Sequence, residues 1–199
     1  MAVAMLSLRL QFDVAGTVAG LAEPLDRLWR MAGYFTILTN LLVALSMLAV
    51  GLRAPINAAW AAGLTLWITM VGIVYHAVLA RLWAPVGLAY WADQGLHTAV
   101  PLLMAAWWAA FAPKAVTVRH LPLWLIWPLA YCVYALIRGT LTGFWAYPFI
   151  DVSMLGWTRV GLNVLGLLAA FAVLGAGLLA LSKWLDRSSG AAEQAQRRF

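Results

Sequence analysis

YFTILTNLLVALSMLAVGL, residues 34–52, carries no charged side chain from end to end. A helix needs about 20 predominantly apolar residues to cross the hydrocarbon of a bilayer, and this run meets that length with no water-seeking charge to pull it out. The same pattern recurs downstream over 57–80 (ending IVYHAVLA), 94–112 (QGLHTAVPLLMAAWWAAFA), 121–138 (LPLWLIWPLAYCVYALIR) and 158–182 (ending AVLGAGLLALS). Upstream, a weaker run over about 3–21 is interrupted by Arg9, Gln11 and Asp13. Arg9 and Asp13 are one helical turn apart, a spacing that lets them pair and lowers the cost of placing them in lipid. The expectation is an all-α integral membrane protein, a bundle of six transmembrane helices with both termini on one side.

Composition supports that class. Of 199 residues, 65% are hydrophobic and 10% charged, with a mean hydropathy of +0.88. Water-soluble domains carry about a quarter charged residues. The alternating pattern of an outer-membrane barrel is absent. Six helices with short connections use the whole length, leaving one transmembrane domain over 1–185 and a polar tail, 186–199, expected to be disordered. A cleaved signal peptide is the rival reading of the first run, since VAGLA (18–22) is rich in small residues, but Arg9 in the middle of the apolar region argues against it.

The net charge of +6 comes from Lys and Arg scattered between apolar runs, which fits anchoring at anionic headgroups and gives no nucleic-acid face. Under six helices, one side holds Arg53, Lys114, Arg119, Lys183, Arg187, Arg197 and Arg198, and the other Arg27, Arg30, Arg81, Arg138 and Arg159. Seven against five favours cytoplasmic termini. The single Cys132 has no partner for an internal disulfide. No CxxC, HExxH or glycine-rich phosphate loop occurs, so no metal or cofactor is expected.

Polar groups inside a membrane are costly and hence are functional candidates. Thr36, Thr39 and Asn40 open the second expected helix, His76 closes the third, and Asp93 and His97 open the fourth. Tyr147 and Asp151 lie in the longest connection, about 139–157, whose aromatics and Pro148 suit an interfacial or re-entrant segment. Alternating helix direction brings all of these toward one membrane face. Thr36 and Asn40 share a helix face, and Asp93 stands four residues before His97, close enough for its carboxylate to orient the imidazole. A threonine hydroxyl beside such a histidine has the parts needed to attack an ester or amide carbonyl, with the Asn40 amide or a free helix N–H as oxyanion donor. Plainer roles are open to each: Thr36 bonded to its own helix, His76 in an interhelical hydrogen bond, His97 with Asp93 as a cap, and His120 at the interface.

Three short motifs, FTILTNLL (35–42), ADQGLHTAVPLL (92–103) and GFWAYPFID (143–151), resemble in order and topological side those of the androgen-induced protein family, a group of multi-pass membrane threonine hydrolases with bacterial six-helix relatives. The resemblance implies that Thr36 is the nucleophile and His97, in G-L-H-T, its base. It also implies fatty acid esters of hydroxy fatty acids as a substrate class, and a bacterial inner membrane as the location. Asn40 stands where animal members carry an acid, and Asp93 supplies one four residues before the histidine.

The expected function is an intramembrane lipid ester hydrolase, with Thr36 and His97 catalytic, Asp93, Asn40 and His76 in support, and Trp145, Tyr147 and Asp151 shaping the pocket. Its partners would be the bilayer and a lipid or acyl-chain substrate. The alternative is a lipid- or small-molecule-binding protein or transporter using the same cluster, against which the absence of an internal repeat counts. A structural partner in a membrane complex is a third, resting on the small residues of VLGAGLLA (173–180).

Overall fold

The computed structural model describes residues 1–18, 23–82 and 84–196, among which every regular element is helical. In chain order they are α1 (Ala2–Val18), α2 (Pro24–Met31), α3 (Phe35–Gly51), α4 (Ala58–Val74), α5 (Leu88–Gln94), α6 (Val100–Phe111), α7 (Leu121–Thr142) and α8 (Val152–Gln196). Two joins are π-turns: Tyr75–Leu79 prolongs α4, and Gly95–Ala99 fuses α5 to α6.

α4 is apolar on all sides and forms the axis of the bundle, with every residue from Ala61 to Ile68 buried. Around it the outer helices turn large apolar side chains outward: Leu41, Leu45 and Leu48 on α3, Ile126, Val133 and Ile137 on α7, and Leu162, Leu165 and Val173 on α8. Unbroken apolar rows of this extent belong against lipid, not water. Ala58–Leu79, Val118–Thr142 and Val152–Ser188 are each long and apolar enough to cross a membrane, and α2 with α3 adds a fourth if the bent pair is taken as one span. The chain is an all-helical membrane protein.

Tryptophans tie the helices together. Trp67 Nε1 on α4 donates to the carbonyl of Trp124 on α7, and Trp124 Nε1 donates back to the Ala59 carbonyl. Trp127 Nε1 reaches the hydroxyl of the fully buried Thr39 at 3.1 Å, joining α7 to α3. These three indole donors are paired across helices, which keeps the apolar rings in register.

One feature of the backbone positions everything that follows. α2 meets α3 at 97°, and the carbonyls left unbonded where α2 ends are taken up by three side chains of α7. Arg138 Nη2 donates to Trp29 O at 2.6 Å, the Tyr134 hydroxyl to Ala32 O at 3.0 Å, and the Tyr131 hydroxyl to Gly33 O at 2.8 Å. Arg138 is buried between the rings of Trp29 and Phe144, with guanidinium-to-centroid distances of 4.2 and 4.8 Å. The clamp holds the sharp corner from which α3, and Thr36 in its first turn, departs.

The element boundaries differ from the sequence expectation in three places. α2 is a separate short helix where a connection was expected, because Pro24 sits at its first position and the α7 clamp satisfies its far end. The long connection over 139–157 contracts: α7 continues to Thr142, where Gly143 adopts the left-handed conformation that closes the helix, and α8 begins at Val152. α8 has a break at Gly156, with φ of +73°, and its backbone runs through the polar stretch to Gln196. The part of VAGLA beyond Val18, and Arg197 and Arg198 of the charge tally, lie outside the described residues.

Candidate active site

Thr36, His97 and Asp93 form one hydrogen-bonded line. Thr36 Oγ1 lies 3.3 Å from His97 Nε2. On the other side of the ring, His97 Nδ1 lies 3.2 Å from Asp93 Oδ1 and 3.1 Å from the Asp93 carbonyl. Two oxygen acceptors at Nδ1 keep the proton there, so Nε2 carries the lone pair and accepts from the Thr36 hydroxyl. The other carboxylate oxygen of Asp93 accepts a hydrogen bond from the Tyr75 hydroxyl. The Tyr75 ring also stacks on the His97 imidazole, with centroids 4.0 Å apart and planes inclined by 17°. The imidazole is thus held at both edges: by a carboxylate at one nitrogen and a hydroxyl at the other.

Local structure explains how α5 and α6 deliver these groups. Asp93 is in the last turn of α5 and His97 in the middle of the π-turn Gly95–Ala99. A π-turn inserts one residue into the helical ladder and re-aims the side chains that follow, and such turns concentrate at functional sites. Close packing fixes this one: a Cβ at Gly95 would collide with the Ser7 hydroxyl, so the absence of a side chain lets α1 approach. The carbonyl of His97 in turn lies against Gly72 of α4.

Asn40 links the two halves of the line. Its Nδ2 donates to the Thr36 carbonyl at 2.9 Å and to the Leu96 carbonyl at 3.3 Å, joining α3 to the π-turn next to His97. With both amide protons used in this way, the expectation that Asn40 supplies an oxyanion donor is replaced by a bracing role. The backbone N–H of Thr36 is engaged as well, donating to the Tyr147 hydroxyl at 3.3 Å. Since that bond occupies the Tyr147 oxygen as acceptor, the phenolic proton is left to donate. Tyr147 also lies 3.5 Å from Thr36 Oγ1. Burial pushes its phenol above the usual tyrosine range, which keeps the proton in place.

Two hollows meet at this point. A cavity of about 390 Å³ is lined by Gln11, Arg30, Tyr34, Asp93, His97 and Tyr147, among others. A narrower pocket of about 60 Å³ lies deeper, walled by Met70, Val71, Val74, Cys132, Leu168 and Phe171. Thr36 and Tyr147 line both hollows and His97 only the larger.

Three of the expected site residues sit elsewhere. His76 is exposed, and its Nε2 meets the Thr98 hydroxyl at 3.0 Å, an interhelical hydrogen bond continued to Gln94 Oε1. Its contact with the site is the edge of its ring against Tyr75. Asp151 caps α8, its Oδ1 accepting from the Met154 N–H at 3.2 Å and from the Ser153 hydroxyl. Trp145 packs flat on Gly139, where a Cβ would clash with the indole. Neither Trp145 nor Asp151 lines the two hollows. Conversely, Tyr75 and Arg30 belong to the site without having been singled out in the sequence. For Tyr75 the available signal was a hydroxyl-bearing aromatic next to His76 at the end of an apolar run.

Among the described residues no group of three or more His, Cys, Asp or Glu side chains is placed to hold a metal ion. Comparison of the chain with models of protein families, with curated proteins and with solved structures finds no match.

Proposed function

We propose that this protein is an intramembrane hydrolase of lipid esters. The observation that carries the reading is the unbroken line Asp93, His97, Thr36, with its hydroxyl end at the junction of two hollows. A hydroxyl is a weak nucleophile until a base takes its proton, and an imidazole held in the right tautomer by a carboxylate is such a base.

The chemistry then follows from the atoms present. The Thr36 hydroxyl proton passes to His97 Nε2 as Oγ1 forms a bond to the ester carbonyl carbon, and the carbonyl electron pair moves onto its oxygen. The Tyr147 O–H donates to that oxyanion from a phenol that burial keeps protonated. Collapse re-forms the carbonyl and breaks the bond to the alcohol oxygen, which leaves with the proton from His97. Water then enters, gives a proton to His97 and attacks the Thr36 acyl ester. The second collapse releases the carboxylic acid and returns the proton to Oγ1. Asp93 and Tyr75 hold the imidazole throughout and stabilise its charged form.

Six crossings accompany this reading: α1, α3, α4, the fused α5 and α6, α7 and α8. α1 and α3 have 17 residues each, the lower end of the length a crossing helix requires. Their amphiphilic neighbour α2 then lies at the membrane surface. The loop charge count favours cytoplasmic termini, and the motif resemblance favours a bacterial inner membrane and esters of hydroxy fatty acids as substrates.

The test is ester hydrolysis by the protein purified in detergent or nanodiscs, comparing wild type with Thr36→Ala and His97→Ala and using circular dichroism to verify folding. Both variants are expected to fold and to lose turnover. Full hydrolysis by folded Thr36→Ala overturns the proposal.

A further inference from the structure

Three side chains line both hollows: Thr36, Tyr147 and Leu79. The first two carry the hydroxyls assigned to attack and to oxyanion stabilisation, with their oxygens 3.5 Å apart. Leu79 brings no reactive atom. It borders the same junction, the neck through which an ester is threaded for its carbonyl to reach Thr36.

The backbone places Leu79 there. It is the last residue of the π-turn that prolongs α4, which the Ala80 N–H closes by donating to the Tyr75 carbonyl at 2.8 Å. In a turn closed from i to i+5, residues four apart lie nearly above one another, so Tyr75 and Leu79 share a face, and both line the larger cavity. One turn thus supports Asp93 from its start and supplies an apolar wall from its end. Leu79 itself is half-buried, beside the exposed Ala77 and Val78, so its side chain can be shortened without opening the core around α4.

Which part of an ester meets Leu79 follows from His97. The histidine returns its proton to the leaving alcohol oxygen and lines only the larger cavity, so the alcohol departs on that side and the acyl chain runs into the narrow pocket. That pocket offers about 60 Å³ against about 390 Å³ on the other side, so the acyl α-carbon, next to the carbonyl, lies where space is least. We propose that Leu79 is a specificity-determining residue: it restricts turnover to esters unbranched at the acyl α-carbon. A methylene at that carbon passes beside the leucine, whereas an added methyl meets it and holds the carbonyl carbon away from Thr36 Oγ1. One carbon more or less in a tight apolar site changes the rate by about 10- to 200-fold. This rests on the hydrolase reading above and adds the residue that sets which acyl groups reach the nucleophile.

The experiment measures kcat/KM of the purified full-length protein with two esters of one neutral alcohol, dodecanoyl and α-methyl dodecanoyl. Wild type is expected to favour the unbranched ester by about tenfold or more. Leu79→Ala is expected to raise kcat/KM for the branched ester about tenfold and to change the unbranched one by about threefold or less. Leu79→Val, the milder truncation, is expected to move the ratio in the same direction by less. Leu168→Ala, at a half-buried position of α8 that lines only the narrow pocket, is the control and is expected to leave the ratio unchanged. The proposal is overturned if wild type treats the two esters alike, if both Leu79 variants change them in proportion, or if Leu168→Ala moves the ratio as far as Leu79→Ala does. Those outcomes leave the hydrolase reading standing, since wild type still turns over the unbranched ester. If wild type hydrolyses neither ester, both readings fall together.

Discussion

Thr36 Oγ1 and His97 Nε2 are 3.3 Å apart although 61 positions separate them in the chain. Neither residue is held there by its own helix alone. The corner between α2 and α3 sets where Thr36 emerges, a π-turn sets where His97 points, and Asn40 joins the two through the Thr36 and Leu96 carbonyls. The contact is thus assembled by the fold, and each bracing element can be tested separately.

Asp93→Asn keeps the shape of the side chain but no longer requires the His97 proton to stay on Nδ1. Ester turnover is expected to fall about 10²- to 10⁴-fold, as for loss of the orienting carboxylate in other acid, imidazole and hydroxyl assemblies. Tyr75→Phe removes one support of that carboxylate and is expected to cost about tenfold. Steady-state kinetics on both variants, with thermal melts to establish folding, checks the order.

Tyr147→Phe retains the ring that packs on Phe149 and deletes only the hydroxyl. Loss of an oxyanion donor costs about 10²- to 10³-fold in kcat, and KM is expected to move little. A change in KM alone would assign Tyr147 to binding. The raised phenol also predicts that activity persists through the pH range in which an ordinary tyrosine ionises, measured with a base-stable substrate.

Asn40→Asp replaces an amide that donates to two carbonyls by a carboxylate that can only accept. With Asn40 fully buried, the anion would face the Thr36 and Leu96 carbonyl oxygens, and a loss of about 2–4 kcal/mol of stability is expected. Denaturation followed in detergent would show it. A variant as stable as wild type contradicts the bracing role.

His76→Ala and Asp151→Ala act as the contrasting pair. His76 bonds Thr98 at the exposed side of Tyr75, so its removal is expected to change turnover by about twofold or less. Asp151→Ala deletes the cap of α8 and is expected to lower stability by about 1 kcal/mol while sparing kcat.

Much of this architecture is legible in the sequence. Charge-free runs gave the helices, since hydrocarbon tolerates little else, and the i, i+4 spacing of Asp93 and His97 anticipated their pairing. Periodicity could not reveal the 97° corner, because it depends on Tyr131, Tyr134 and Arg138, a hundred residues downstream, capping the end of α2. It missed the π-turn because one inserted residue leaves no mark on an apolar pattern, and the contact of Ser7 with Gly95 beside it comes from a distant part of the chain. Trp145 and Asp151 share the GFWAYPFID stretch with Tyr147 but point elsewhere, because the turn that carries Tyr147 to Thr36 commits Trp145 to Gly139 and Asp151 to the first turn of α8.

The most direct test of the central claim is labelling with a lipophilic fluorophosphonate, with the modified residue mapped by mass spectrometry in wild type, Thr36→Ala and His97→Ala. An adduct on Thr36 that disappears in folded His97→Ala is the predicted result. A folded wild-type protein that forms no adduct at Thr36 while it hydrolyses esters would contradict the claim.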